Sequence, residues 1–344
     1  MVHRPLRLRL DGEALVANWR WLKARGGAAS CGAAVKADGY GLGAPEVVER
    51  LARAGCRDFF VASWAEAAEV EATLGDASLS VLHGVFEEDM PFAAASRARP
   101  VLNTPAQVLR WRETARPCDV MIDTGIHRLG LTPHEVRAGL LDGLTIETLH
   151  SHLACADEDV AANARQLALF GELCRTVPAK RRSLANSAGI CLGADYAFDL
   201  TRPGLALYGG IARPEAAGQI SQVVRIEAQV IQRRRVAAGG SVGYNATWTA
   251  EQACELAILN IGYADGYLRG FSSRGVALAE GIELPVVGRV SMDLTAVHVD
   301  AAPQVGEGDW LEIAFDLPRA AEQSGLSQYE LLTTLGSRYE RVWS

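Results

Sequence analysis

"AAVKADGYGLGA", residues 33–44, begins as a strand and ends as a glycine-rich turn. Its apolar run stops at Val35, and Gly39, Gly41 and Gly43 forbid a regular continuation. "APEVVERLARAG" (44–55) follows with Val47, Val48 and Leu51 at helical spacing. The stretch is therefore a strand–loop–helix unit with Lys36 at the strand's end. An unpaired ammonium is costly to bury. Such a lysine pairs, here with Asp38, or lowers its pKa, or reacts. A partly neutral amine is also what imine chemistry requires.

The same unit recurs. Strand-like runs stand at "GAAVKA" (32–37), "DFFVAS" (58–63), "LSVLHG" (79–84), "RPVLNT" (99–104), "CDVMID" (118–123), "TIETLHSHL" (145–153), "RRSLAN" (181–186) and "DLTRPG" (199–204). Helical stretches such as "WAEAAEVEATLG", "PAQVLRWRETA", "PHEVRAGLLDG" and "NARQLALFGELCRTV" lie between them, and "GEALVANWRWLKARG" precedes the first strand. Alternation of this kind predicts a parallel sheet covered by helices, and eight units are the count of a (β/α)8 TIM-type barrel. An open doubly wound sheet is the alternative, and the eighth helix, near "LALYGGIA", is the weakest element. From about residue 218 the pattern turns to strands separated by Gly and Pro: "VVRIEAQVIQRRRV", "ACELAILNI", "LPVVGRVSMDLTAVHV" and "DWLEIAF". Helical spacing returns only in "SQYELLTTLG". The expected division is a barrel over 10–217 and a mainly antiparallel β domain over 218–344, to which residues 1–9 add a strand.

Composition suits a globular protein with a large core: 344 residues, 49% hydrophobic and 22% charged. The net charge of −7 is scattered and no basic stripe exists, which argues against a nucleic-acid partner. No stretch approaches the roughly 20 apolar residues of a membrane span, and no signal peptide is visible. Seven cysteines without a CxxC pair read as reduced thiols of a cytoplasmic protein. The histidines lack metal-ligand spacing, although His150 and His152 share one face of a strand, so no metal is expected.

In a barrel the chemistry sits at the C-terminal ends of the strands. The polar residues there are Lys36, Asp123 with Arg128, His152, Asn186 with Ser187, and Arg202. Ser187 opens a strand-to-helix turn suited to an anion. Gly204 and Leu205 make a second such turn after Arg202. Turns after the seventh and eighth strands are a usual phosphate site in barrels. A strand-end lysine with a phosphate cradle points to pyridoxal 5′-phosphate.

At these residues the chain resembles a known family. "AVKADGYGLGA" is similar to the pyridoxal-phosphate motif of the alanine racemases, commonly A-V-V-K-A-N-x-Y-G-H-G. "DTGIHRLGL" resembles that family's D-T-G-M-x-R-L-G, and "SHLACADE" its T-H-F-A-x-A-D-E. "NSAG", "TRPGLALYG", "VGYNATW", "IGYADGYLR", "GRVSMDL" and "LGSRYERV" match further blocks in family order, from Lys36 to Arg341. The resemblance implies an isomerase that interconverts L- and D-alanine, built as a pyridoxal-phosphate barrel with a C-terminal β domain. It implies a homodimer with active sites shared across the interface. A serine or broader-specificity amino-acid racemase on the same scaffold is the alternative.

The resemblance also assigns roles. Lys36 would bind the cofactor covalently and serve as one base. Tyr244, from the partner subunit, would serve the opposite face of the substrate's Cα. A phenol acts as a base only in a cationic neighbourhood, and His152 and Arg202 are the matching neighbours. Arg202 would face the pyridine nitrogen, where an arginine donates a hydrogen bond without readily yielding its proton. The resulting weak electron sink favours racemisation over transamination. Tyr40, Ser187, Gly204, Leu205 and Tyr339 would hold the phosphate. Arg128 would meet the substrate carboxylate, with Met292 and Asp293 of the partner completing the pocket. Tyr263 and Arg269 would line the entrance. Two positions depart from the family: Met121 stands where many members carry a carbamate-forming lysine, and His127 where glycine or asparagine is common.

Overall fold

A computed structural model describes residues 2–344. The chain divides into two units. One is Leu15–Ser221; the other is Gln222–Ser344 together with the N-terminal residues through Ala14.

In the first unit seven short strands pair parallel in chain order: Ala33–Ala34, Asp58–Val61, Ser78–Val81, Arg99–Leu102, Cys118–Met121, Ile146–His150 and Arg181–Ser183. Leu200–Thr201 closes the ring between the last and the first. It pairs parallel with Ser30–Cys31. The N–H groups of Ser30, Gly32 and Ala34 donate to the carbonyls of Asp199, Thr201 and Pro203, at 2.9, 2.9 and 2.8 Å. On its other side, Asp199 and Arg202 donate to Arg182 and Ala185, at 3.1 and 2.8 Å. All eight expected strands are thus present, as a closed barrel rather than an open sheet. Gly32 permits the seam, because a Cβ there would lie 2.7 Å from the Asp58 carbonyl oxygen.

The helices cover the barrel with apolar faces. Ala44–Ala54 buries Ala44, Val47, Val48 and Leu51, with Pro45 in its first turn and a left-handed Gly55 at its end. Each fully buried Val or Leu contributes about 1.5–3 kcal/mol. Ser63, Thr104, Thr132 and Asn186 cap later helices, each accepting a bond from a backbone N–H three residues on. "PHEVRAGLLDG" forms a helix only over Pro133–Arg137, because Gly139 adopts φ 79°. The eighth helix is a single 3-10 turn, Leu205–Tyr208.

The second unit is a mainly antiparallel sheet. Its organising element is the thirteen-residue strand Val224–Val236. The first half of this strand pairs antiparallel with Leu6–Leu10 and Trp310–Ile313, and the second half with Cys254–Leu259. Thr295–His298, Ile282–Val287 and Val276–Ala279 complete a closed ring of strands back to Trp310–Ile313. The parallel pair is Leu6–Leu10 with Glu340–Trp343. Val276–Ala279 and the helix Leu317–Ser324 have no counterpart in the sequence reading. Among the described residues no helix is long and apolar enough to cross a membrane, and no cluster of metal-ligating side chains occurs.

Candidate active site

Because the barrel strands run parallel, the residues after each strand gather at one mouth. Lys36 directly follows the first strand, and its backbone then takes a rare course. Ala37, Asp38, Gly39, Tyr40 and Gly41 have φ of 53°, 52°, 62°, 56° and 84°, a continuous left-handed turn. For each L-residue this conformation costs about 1–2 kcal/mol. Polar bonds offset the strain. Glu66 accepts from the N–H of Ala37 at 2.8 Å and of Ala62 at 2.6 Å, and Asp38 Oδ1 accepts from Ala44 N–H at 2.8 Å. The turn swings Tyr40 back beneath Lys36's strand and leaves the ammonium half-buried at the mouth. Burial and the charge of Arg128 lower the Lys36 pKa, against the pull of Glu66. The alternative pairing with Asp38 is not made: that carboxylate is spent on Ala44.

Opposite stands a cradle of small groups and backbone. Ser187 opens the helix Ser187–Cys191, and its Oγ accepts from Gly204 N–H at 3.0 Å and Ala206 N–H at 3.2 Å. A Cβ at Gly204 would collide with the Tyr40 hydroxyl, so that hydroxyl lies directly over the glycine backbone. The Tyr40 ring stacks on Tyr208. Tyr40, Ser187 and Gly204, with Leu205 next in the chain, therefore come together. The Tyr208 hydroxyl donates to the Ala34 carbonyl at 2.9 Å.

Arg202 is buried. Its Nη1 donates to Ser183 Oγ and lies 3.2 Å from His150 Nδ1, and its Nη2 donates to the Ser151 carbonyl at 2.6 Å. Burial lowers its pKa to about 10, so the guanidinium remains charged at neutral pH. His152 is held neutral: burial first, then Arg202, Arg128 and Lys36, lower it to about 3. The cations of this part of the mouth are therefore Arg202, Arg128 and Lys36, with His152 a neutral group among them.

Arg128 sits on an exposed turn. Asp123 Oδ1 collects the N–H groups of Gly125, Ile126 and His127 at 2.8, 3.0 and 3.2 Å. The His127 imidazole faces Asp123 at 3.6 Å. Met121 packs beneath, where a Cβ at Gly130 would lie 3.1 Å from its Cγ. Gln166 ties the neighbouring loops together, bonding Thr124, the His152 carbonyl and Ala154 N–H at 3.2, 3.0 and 2.9 Å.

The remaining expected residues belong to the second unit. Tyr244 and Met292 are 63% and 53% exposed. The turn carrying Met292 and Asp293 is pinned by two backbone bonds, Tyr263 N–H to Ser291 and Ala264 N–H to Met292, both 3.0 Å. Arg338 clamps it, meeting buried Asp265 bidentately at 2.6 and 2.7 Å and Asp293 at 2.7 Å. Arg269 lies over the Tyr263 ring at 5.1 Å, and both line a shallow cavity with Leu268. Tyr339 is fully buried, and its hydroxyl has no hydrogen-bond partner among the described residues.

Comparisons with known proteins cover both units. The family profile for the alanine racemase N-terminal domain matches residues 10–212, and that for the C-terminal domain matches residues 223–343. The alanine racemase of Methylobacterium nodulans is 43% identical, over 97% of this chain and 95% of its own length. A catabolic alanine racemase of Agrobacterium fabrum is 42% identical, over 98% and 91%. The crystal structure of alanine racemase from Bartonella henselae with covalently bound pyridoxal phosphate superposes with a TM-score of 0.93. It is 35% identical, covering 99% of this chain and 100% of that one.

Proposed function

Since the chain belongs to the alanine racemase family, we propose that it interconverts L-alanine and D-alanine with pyridoxal 5′-phosphate. The observation that carries this reading is the convergence at one barrel mouth of a lysine with a lowered pKa and a ready-made anion cradle. The residues fit the cofactor. The Gly204 backbone under the Tyr40 hydroxyl leaves no room for a Cβ, and the Tyr40 and Ser187 hydroxyls beside it would meet a phosphate. Arg202 keeps N–H donors beyond those it gives to Ser183, His150 and Ser151, and these would meet the ring nitrogen. When bound, the cofactor supplies an electron sink that makes the proton on the substrate's Cα removable.

The chain's own groups do the rest. Lys36 Nζ, whose pKa burial lowers, takes or returns a proton on one face of Cα. Racemisation needs a second base opposite, and Tyr244 from a second copy of the chain fills that role. Arg128 orients the substrate carboxylate with its planar fork. Arg202 stays protonated and withholds its proton from the ring, which keeps the sink weak and protonation at the wrong carbon slow. The exposure of Tyr244, Met292 and Leu294 on the second unit supports a homodimer in which these side chains complete the other copy's site. The seven unpaired cysteines suit a reducing, cytoplasmic location.

The test is a chiral chromatographic assay of the purified holoenzyme. L-alanine should convert to an equal mixture of enantiomers, and faster than L-serine does. Absence of conversion by cofactor-loaded protein would overturn the reading.

A further inference from the structure

Behind Arg202 the barrel interior holds two more fully buried ionisable side chains, Asp119 and His150, which the racemisation chemistry leaves unused. Asp119 projects from the strand Cys118–Met121. Its Oδ1 accepts from Thr148 N–H at 2.9 Å and Arg99 Nε at 3.4 Å, and its Oδ2 from Ser80 Oγ at 2.6 Å. His150, Arg99 and Ser80 keep it ionised despite burial. His150 ends the neighbouring strand. Its Nδ1 lies 3.2 Å from Arg202 Nη1, its Nε2 lies 3.9 Å from Asp119 Oδ2, and the Phe60 ring abuts its edge. Nε2 has no hydrogen-bond partner among the described residues.

These distances determine the tautomer. A guanidinium only donates, so Nδ1 must accept, and the imidazole proton must reside on Nε2. There it points at the Asp119 carboxylate. At 3.9 Å the contact is an ion–dipole attraction rather than a hydrogen bond. The charged groups facing His150 are thus Asp119 and Arg99 on one side and Arg202 on the other. A buried guanidinium needs both charge compensation and fixed acceptors. Asp119 provides the first through the imidazole dipole, and His150, Ser183 and Ser151 provide the second.

We propose that His150, oriented by Asp119, is a positioning residue that fixes the Arg202 guanidinium so that its free donors face the ring nitrogen of the cofactor. The proposal rests on the cofactor reading given above. Its chemistry is the logic of an oriented histidine, in which the group behind the imidazole selects the tautomer that faces forward.

The first experiment is 15N NMR of the His150 ring in the full-length apoprotein, assigned by difference from His150→Phe or, if that variant does not fold, from His150→Gln. Neutral imidazole with the proton on Nε2 is expected at pH 7. A proton on Nδ1, or a doubly protonated ring, overturns the proposal whether or not the protein racemises alanine. The second uses holoenzyme carrying ring-15N pyridoxal phosphate. His150→Phe and Asp119→Asn should shift the cofactor nitrogen resonance and lower kcat about tenfold with a smaller change in KM. His150→Gln, which retains an acceptor for Arg202, should restore most of both. If the variants lower only the melting temperature and leave the resonance and kcat unmoved, the pair is merely part of the core and the proposal fails.

Discussion

The ring of Tyr40 lies on that of Tyr208, with centroids 4.6 Å apart and planes inclined by 22°. Tyr208 in turn donates to the carbonyl of Ala34, two residues before Lys36. The strand that leads to Lys36 and the turn that carries Tyr40 are thus braced by one aromatic pair. Tyr208→Phe keeps the stack and loses the bond, which should cost about 1–2 kcal/mol because the Ala34 carbonyl is left unpaired. Tyr208→Ala should cost about 3–5 kcal/mol and weaken cofactor binding as Tyr40 loses its support. Urea unfolding of the apoprotein, with a cofactor titration by fluorescence, measures both; equal stability of the Phe and Ala variants would refute the bracing.

Gly204→Ala tests the cradle. The new methyl would meet the Tyr40 hydroxyl and force the ring aside. Cofactor affinity should fall at least tenfold, about 1.4 kcal/mol, with urea unfolding of the apoprotein separating this loss from any loss of fold. Unchanged affinity would show that the hydroxyl does not need its position over the backbone.

Acid should destabilise the apoprotein in a defined window. Burial lowers His150 to about 4 and His152 to about 3, both below the 6.5 of a free imidazole. Above 6.5 the rings are neutral whether folded or unfolded, and they contribute nothing. Below 6.5 the unfolded chain binds protons that the folded chain refuses, so stability falls as pH drops from 6.5 towards 4. Each group contributes a slope of about 1.4 kcal/mol per pH unit there. Asp119, held at about 2 rather than 3.8, is ionised across this range and withdraws its stabilisation only below 3.8. Melting temperatures of wild type and His150→Phe from pH 7 to 4.5 should converge towards acid; parallel curves would contradict the neutral, buried histidine.

The left-handed turn predicts a stabilising change. Ala37 is exposed and has φ 53°, so its methyl strains the backbone and packs on nothing. Ala37→Gly should raise stability by about 0.5–1 kcal/mol, the relief of strain less the greater freedom of the unfolded chain. A loss of stability in denaturant titrations would mean that the turn carries no strain.

Shared sites predict complementation. Lys36→Ala and Tyr244→Ala proteins should each be inactive. After exchange of subunits, one of the two sites in a mixed dimer holds both bases, so a mixture should regain up to about a quarter of wild-type activity. No recovery after exchange verified by mass spectrometry would falsify the arrangement.

The barrel was legible because most of its strands are short, apolar and closed by a turn residue, Arg181–Ser183 being the polar exception. Parallel strands buried on both faces leave that signature. The strand Val276–Ala279 escaped notice because "VALA" has neither length nor alternation, and Leu317–Ser324 because "LPRAAEQS" carries few apolar residues. The residues at the barrel mouth could be picked out because strand ends and chemistry coincide there. The left-handed course of Ala37–Gly41 could not, because it depends on Glu66, which arrives from the next unit. The shared strand face of His150 and His152 was visible, but their difference was not. His150 meets Arg202 across 52 positions of sequence, and no local pattern encodes such a partner.

The strand Leu6–Leu10 has consequences for how a ribosome must deliver this protein. Its neighbours, Val224–Val236 and Glu340–Trp343, are made more than two hundred residues later. At 5–20 residues per second the strand waits roughly 10–40 s for its first partner. The eight strands between Ala33 and Thr201 are all synthesised within that interval. The barrel can therefore mature while its own leading segment is still an unpaired, leucine-bearing edge. The alternation "LRLRL" (6–10) sets Arg7 and Arg9 on the solvent side of that edge. Charge on a waiting strand is a guard against premature pairing with another nascent chain.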